Sequence, residues 1–329
     1  MLSTARSARL AEAVRMACET EIRALKPGNV GLHGAGHGMT ADDFLISAEA
    51  IAEPLTVPGR SVGGRILAAV EATRRAVPCN TNLGIVLLCA PLAQAALRSN
   101  GAFPLRLELE RVLAQLDIAD AELAFTAIRL ANPGGLGEAP AHDVRQPARV
   151  SLLEAMCAAS PRDSIARQYA HGFADIFDIG IGFYRQCRAR WRSEEWAVAA
   201  VYLRCMARWP DSHVRRKHGE QTARALSREA AAVSAELQRT SRPELLRPRL
   251  LEWDEDLKRR GINPGTSADI CVACVFGARV EEILEEEFNA AEPNPGSAAD
   301  QPWDRSLAQG RPLHANAPAM GSAHNSSSN

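Results

Sequence analysis

Four polar junctions that contain glycine interrupt the apolar helical patterns of this sequence, and they carry the residues best suited to bind a ligand. The first, KPGNVGLHGAGHG, covers residues 26–38, where Pro27 stops a helix and the glycines let a ligand approach the backbone closely. Its Lys26 and Asn29 are candidates to contact phosphate or ribose oxygens. A turn at the end of a helix would also account for a Pro-Gly loop with a polar cap.

The second junction, CNTNLG at residues 79–84, places three polar side chains directly before an apolar run. Asn80, Thr81 or Asn82 can cap the helix that follows, whose free N–H groups and dipole form an anion site. Capping needs only one such residue, so we predict that all three contact the substrate.

The third junction, NPGGLGEAPAHDVRQPA, covers residues 132–148. Gly134 and Gly135 are predicted to approach the substrate, beside the carboxylates of Glu138 and Asp143. Carboxylates next to flexible glycines suit Mg²⁺, which prefers oxygen ligands and is often shared with substrate phosphates. We therefore predict Mg²⁺ as the cofactor, with Asp143 and Glu138 as its ligands.

The fourth junction, GINPGTSADICVAC, precedes a long apolar helix. Asn263, Gly265 and Ser267 are predicted substrate contacts, and Asp269 follows in the first helical turn. The helix dipole alone would favour a carboxylate there, by roughly 0.3–1 kcal/mol.

Other suggestive motifs have simpler interpretations. His33 and His37 have no third Cys or His nearby, so no zinc site is predicted. Cys271 and Cys274 form a CxxC within an apolar segment and are interpreted as packing thiols. The basic run at residues 208–220 is interpreted as a solvated helix face. Residues 134–137 lack the context of a dinucleotide or P-loop motif.

Apolar residues recur every three to four positions along most of the chain, whereas alternating strand patterns are almost absent. The fold is therefore expected to be all-α, with one multi-helix domain over residues 1–289. Residues 290–329 are rich in Pro, Gly, Ser and Asn and are expected to form a disordered tail. The helical pattern covers residues 10–25, 44–52, 66–76, 105–130, 165–183, 194–208, 212–238, 243–260 and 267–288.

The overall charge excludes some classes of partner. The 38 lysines and arginines against 39 acidic residues give a net charge of −1, so we expect no nucleic acid and no membrane surface as partner.

The apolar runs are too short to span a bilayer, and the N-terminus lacks a secretory apolar region. The eight scattered cysteines indicate a reducing compartment, so we expect a cytoplasmic protein.

Several segments together resemble the triphosphoribosyl-dephospho-CoA synthase family, which serves citrate lyase and malonate decarboxylase. In order they are KPGNV, DDFLISAEAI, GGRILAAVEATR, NTNLGIVLLCAPLA, GGLGEAPAHDVRQ, AASPRDSIARQYAHGF and INPGTSADI. The resemblance implies a mainly helical fold and transfer of the triphosphoribosyl part of ATP to the ribose 2′-hydroxyl of 3′-dephospho-CoA, with release of adenine. Asn82-Leu83 stands where the citrate-lyase branch has His-Lys, so the chain looks closer to the malonate-decarboxylase or the one-carbon-associated branch.

Two alternatives remain open at this point. The same ATP chemistry could serve another acceptor in pterin-linked one-carbon metabolism, or the chain could be a non-catalytic helical partner protein.

The implied reaction breaks the bond between ribose C1′ and adenine N9, which develops positive charge on the sugar. It requires a carboxylate near C1′ and a base for the incoming hydroxyl, for which Asp143, Asp163 and Asp269 are candidates. Arg145 and Arg167 are expected to bind phosphate oxygens.

Overall fold

The computed structural model describes residues 2–291, and within this range the chain forms 13 α-helices, one π-helix and one short 3₁₀-helix. The α-helices are α1 (Leu2–Arg23), α2 (Ala41–Thr56), α3 (Val62–Ala76), α4 (Leu83–Arg98), α5 (Leu105–Ala114), α6 (Ile118–Ala131), α7 (Leu152–Ala159), α8 (Ser164–Ala170), α9 (Gly182–Trp191), α10 (Glu194–Arg208), α11 (Ser212–Arg239), α12 (Arg247–Arg259) and α13 (Gly265–Ala291). The π-helix is Asp175–Ile181, and the 3₁₀-helix is Pro243–Leu246.

Polar caps divide the longer apolar patterns into separate helices. The pattern at 105–130 becomes α5 and α6 because Asp117 accepts a hydrogen bond from the backbone N–H of Asp120 in a capping box. The pattern at 165–183 ends its first helix near Gly172 and Phe173, which both have positive φ. Sequence periodicity marks the apolar face but does not show where a cap restarts the helix.

Helices α4 and α13 form the centre of the core. Residues 271–276 of α13 are fully buried, as are residues 88–90 of α4. Small residues allow close packing there: a Cβ on Gly277 would lie 2.9 Å from Cδ1 of Ile181 in the π-helix. Cys271 and Cys274 are buried free thiols whose pKa burial raises, which confirms their interpretation as packing residues.

The all-α expectation is confirmed for the described residues, which contain only two isolated β-bridges and form one compact unit. The expected disordered tail at 290–329 lies almost entirely outside them. Among the described helices, none has the length and apolar character that crossing a membrane requires.

Candidate active site

One cavity of about 450 Å³ receives residues from all four polar junctions and from the start of α11. The predicted site residues on its lining are Asn29, Asn80, Thr81, Asn82, Gly134, Glu138, Asp143, Asp163, Asn263, Gly265 and Asp269. Segments more than 200 positions apart in the chain therefore meet around one space.

A buried chain of polar contacts joins the first junction to the fourth. Nζ of Lys26 pairs with Oε1 of Glu21 at 2.5 Å and donates to Oδ1 of Asn29 at 2.6 Å. The Asn29 amide then donates to Oδ1 of Asn263 at 2.8 Å. Lys26 is 2% exposed and does not itself line the cavity, so it holds Asn29 in place and neutralises Glu21.

The turn at Gly28 brings these junctions together. Its φ of +83° favours glycine, and a Cβ there would lie 2.9 Å from the carbonyl oxygen of Ile262. The N–H of Gly28 donates a hydrogen bond to Oδ1 of Asp254 at 2.8 Å. The hydroxyl group of Tyr202 donates a hydrogen bond to the carbonyl oxygen of Pro27. The Pro-Gly pair is thus clamped from α10 and α12.

The three polar residues before α4 have separate tasks. Asn80 accepts a hydrogen bond at 3.2 Å from the N–H of Leu83, the first residue of α4, whereas Asn82 at the N-cap position makes no capping hydrogen bond with its side chain. Thr81 donates to the hydroxyl of Ser47, and Asn82 accepts from Thr73, which ties α4 to α2 and α3. All three also line the cavity, so holding the helices together does not exclude a role in binding.

Asp269 lies on the cavity wall against the first turn of α4. A Cβ on Gly84 would overlap Oδ2 of Asp269, so glycine is required for this approach. Burial, together with the nearby charges of Glu21 and Asp211, raises the pKa of the Asp269 carboxyl well above its ordinary value. Among the described residues its carboxylate has no hydrogen-bond donor, so it is free to meet a ligand.

Asp211, which sequence reasoning missed, fixes the position of two helix starts. Its Oδ1 accepts from the N–H groups of His213 and Val214, and its Oδ2 accepts from the N–H and hydroxyl of Ser267, all at 2.8–3.1 Å. Burial raises its pKa, against the effect of these hydrogen bonds. Ser267 is therefore engaged with Asp211 and is not on the cavity lining.

The third junction is organised by Asp143. Its oxygens accept from the side chain and N–H of Arg145 and from the N–H of Ala139, which hold the pKa of the Asp143 carboxyl well below its usual range. Glu138 is exposed and has only a 3.5 Å contact with Arg145. Arg145 thus closes the loop and does not line the cavity.

A basic wall faces the third junction. Arg162, Arg215, Arg216 and Lys217 line the cavity, and a Cβ on Gly134 would lie 3.3 Å from Cε of Lys217. Gly219, with a φ of 86°, kinks α11 directly after this turn. Arg215 and Arg216, which belong to the run interpreted as a solvated helix face, are partly buried and line the cavity.

Asp163 supports the basic wall. It caps α8 through the N–H groups of Ile165 and Ala166, and its Oδ2 accepts from Arg216 at 2.8 Å. Asp163 lines the cavity, but its oxygens are already engaged.

Two other predicted contacts lie off the cavity lining. Arg167 pairs with Asp175, and its guanidinium stacks 4.2 Å from the ring of Trp209. Gly135 adjoins the basic wall, with its added Cβ 3.7 Å from Arg216 and Lys217, without lining the cavity itself.

The histidines of the first junction contact backbone carbonyls. His37 lines the cavity, and its Nε2 lies 2.9 Å from the carbonyl of Gly28. His33 contacts the carbonyl of Arg23. Within residues 2–291 no group of three or more His, Cys, Asp or Glu side chains could hold a metal ion unaided.

The remaining wall is apolar. It comes from α4, α6, α7 and α8, and its members are Leu87, Phe125, Ile128, Leu152, Ala155, Met156, Ile165 and Ala166. The cavity therefore offers a carboxylate, a basic wall and an apolar wall to one ligand.

The comparisons with known proteins identify the family of this chain. The model of the ATP:dephospho-CoA triphosphoribosyl transferase family matches residues 7–287. The chain belongs to this family. Members transfer the triphosphoribosyl group of ATP to dephospho-CoA, and the chain is an enzyme of this activity. ATP and dephospho-CoA are thus its substrates.

A solved structure is similar as well. It is from Archaeoglobus fulgidus and is assigned as a triphosphoribosyl-dephospho-CoA synthase. It shares 25% sequence identity and a TM-score of 0.55, over 73% of this chain and 98% of that one. No curated protein matches the sequence. The family match and this structure give no support to a pterin-linked acceptor or to a non-catalytic role.

Proposed function

We propose that the cavity is the active site of triphosphoribosyl transfer and that Asp269 faces the reacting C1′ carbon of ATP. The observation that carries this proposal is the placement of Asp269, a cavity carboxylate with no hydrogen-bond donor among the described residues. Asp143 and Asp163, the other two candidates, already accept from arginines and backbone N–H groups.

Asp269 serves as the base for the acceptor. Attack by the ribose 2′-hydroxyl of dephospho-CoA on C1′ forms the new glycosidic bond and breaks the bond to adenine N9. The hydroxyl proton passes to the Asp269 carboxylate, and the departing adenine takes up a proton from solvent. Asp269 returns its proton to solvent before the next turnover, so protons and charge balance over the cycle. A carboxylate whose pKa lies above its ordinary value accepts a proton more readily, which suits this role.

The basic wall holds the triphosphate. The triphosphate is retained in the product, so its negative charges must be neutralised throughout the reaction and not at one step alone. Arg216 and Lys217 supply fixed positive charge, and Asp163 keeps the Arg216 guanidinium in place. An arginine held in this way loses less side-chain entropy on binding phosphate.

The apolar wall receives adenine. The base is the one flat, weakly polar part of ATP, and it is bonded directly to C1′. Leu87 lies one helical turn after Gly84, which touches Asp269, so apolar surface begins beside the proposed position of C1′. Aliphatic and aromatic side chains there exclude water from the reacting bond.

Mg²⁺ fits the rim of this site, where Glu138 and Asp143 face the basic wall. Mg²⁺ is usually bound through one or two carboxylates together with substrate phosphates. Glu138 has an exposed carboxylate, with a 3.5 Å contact to Arg145, and would hold the ion, while Asp143 fixes the loop that carries Glu138. The ion would neutralise part of the triphosphate charge.

The sequence also supports a proposal for the branch of the family and for the cellular compartment. Asn82-Leu83 favours the malonate-decarboxylase or one-carbon-associated branch, and we propose the cytoplasm as the compartment because the eight cysteines are free thiols.

The test is adenine release. Purified protein is incubated with ATP, Mg²⁺ and 3′-dephospho-CoA, and adenine is separated from ATP by chromatography. We expect adenine and a triphosphoribosyl adduct of dephospho-CoA in equal amounts, with neither formed when dephospho-CoA or protein is omitted. No adenine above the control without protein would contradict the proposal.

A further inference from the structure

His213 is a cavity residue that neither the sequence interpretation nor the mechanism above uses. It is the second residue of α11, and its N–H is fixed by Asp211 at 2.9 Å. Its ring lines the cavity, and a Cβ on Gly265 would lie 3.1 Å from its Nδ1. The ring is thus held between the starts of α11 and α13.

One ring nitrogen is enclosed without a partner. Nε2 of His213 is buried and forms no hydrogen bond with any described residue. A buried polar atom without a partner is costly, so the state of this nitrogen requires a physical explanation. A bare nitrogen is easier to bury in this way than an N–H, so we assign the proton to Nδ1, beside Gly265.

The surroundings keep the ring neutral. Burial, assisted by the positive charges of Lys217 and Arg216 and by His37 and His218, lowers the pKa of His213 to about 3. A neutral imidazole offers one N–H donor and adds no charge to a wall that already carries several cations.

We propose that His213 binds the triphosphate chain of ATP as a neutral hydrogen-bond donor, through Nδ1–H to a phosphate oxygen. The inference rests on the proposed function, since it takes the basic wall as the triphosphate site. Arg216 and Lys217 lie on the same turn of α11, so an anion bound to them comes within reach of the His213 ring. His213 is a positioning residue: it orients the phosphates and takes no part in proton transfer.

The experiment measures the affinity for the phosphates separately from the affinity for the nucleoside. Binding of inorganic tripolyphosphate, in the presence of Mg²⁺, and of adenosine is measured by calorimetry on the full-length protein. The variants are His213→Ala, His213→Asn and the matched control His218→Ala. His218 lies on the same helix and contacts the carbonyl of Gly261 outside the cavity lining.

We expect His213→Ala to weaken tripolyphosphate binding about tenfold or more, the usual effect of losing a hydrogen bond to a charged group, and to leave adenosine binding within about twofold. Asn carries an N–H near the position of Nδ1, so His213→Asn recovers part of the affinity. His218→Ala leaves both ligands unchanged.

Unchanged tripolyphosphate binding in His213→Ala, or equal weakening of both ligands, would overturn the inference. If His213→Ala does not fold, the inference stands or falls on His213→Asn, which must bind tripolyphosphate more tightly than His213→Gln, whose N–H lies near Nε2. The proposed function fails separately, when the wild-type protein releases no adenine.

Discussion

Asp269 on α13 and Gly84 on α4 are in direct contact, and the missing side chain of Gly84 provides the space that the Asp269 carboxylate occupies. The contact brings a carboxylate to the amino terminus of an apolar helix, where sequence reasoning expected the helix to attract a substrate anion. The Asp269 carboxylate therefore occupies the cavity wall beside the first turn of α4. We propose that the phosphates bind at the basic wall instead.

The substitution Gly84→Ala tests this contact. The new methyl group would overlap Oδ2 of Asp269 and push the carboxylate away from its position, so kcat should fall at least tenfold in the adenine-release assay. The matched control is Gly182→Ala, at a helical glycine whose added Cβ meets no atom within 4 Å. Activity in Gly84→Ala equal to that of the control would show that the position of Asp269 is unimportant.

Substitution of Asp269 tests its role as base. Asp269→Asn keeps the shape of the side chain and removes the proton acceptor, so kcat should fall about 10²–10⁴-fold. In the wild type a raised pKa means that the carboxylate form is lost at a higher pH than for an ordinary aspartate, so kcat rises with pH through this pKa. Measurement of kcat as a function of pH checks whether kcat rises or falls through this pKa. A profile of Asp269→Asn with the same acidic limb as the wild type would assign the titration to another group.

The buried pair of Glu21 and Lys26 should contribute to stability. Lys26→Met leaves the Glu21 carboxylate buried without its cation, and the free energy of unfolding should fall by about 3–5 kcal/mol. Denaturant unfolding followed by circular dichroism measures the loss. The double variant Glu21→Gln with Lys26→Met removes both charges and should regain part of it. A double variant less stable than Lys26→Met would show that the uncompensated charge is not the cause.

Glu138 should govern the requirement for Mg²⁺. Chelation of divalent ions should abolish adenine release, and added Mg²⁺ should restore it. Glu138→Gln removes the exposed carboxylate of the rim, so the Mg²⁺ concentration for half-maximal rate should rise several-fold. Glu255→Gln, at an exposed position outside the cavity lining, is the control. The same Mg²⁺ dependence in both variants would place the ion elsewhere.

Local sequence pattern was sufficient to predict the helical class and the segments that meet at the cavity. The periodicity identified apolar faces, and glycine with proline marked the junctions, because both signals depend on residues close in the chain. Asn29, Asn263 and Asp269 were predicted in this way and do line one cavity.

The partners of each side chain could not be predicted in the same way. Arg145 and Arg167 looked available for phosphate, but they lie off the cavity lining, where they pair with Asp143 and Asp175. The basic run in α11 looked solvated because the sequence does not show that the third junction folds over it. His213 and Asp211 were missed for the same reason: their importance depends on contacts with α13, more than 50 positions away.

A crystal structure of the Asp269→Asn variant with ATP, Mg²⁺ and dephospho-CoA would test the proposed site at atomic detail. We expect ATP in the cavity, with C1′ and the acceptor 2′-hydroxyl beside residue 269, the triphosphate on Arg216 and Lys217, and adenine against Phe125 and Met156. ATP bound outside this cavity, or bound with C1′ remote from residue 269, would contradict it.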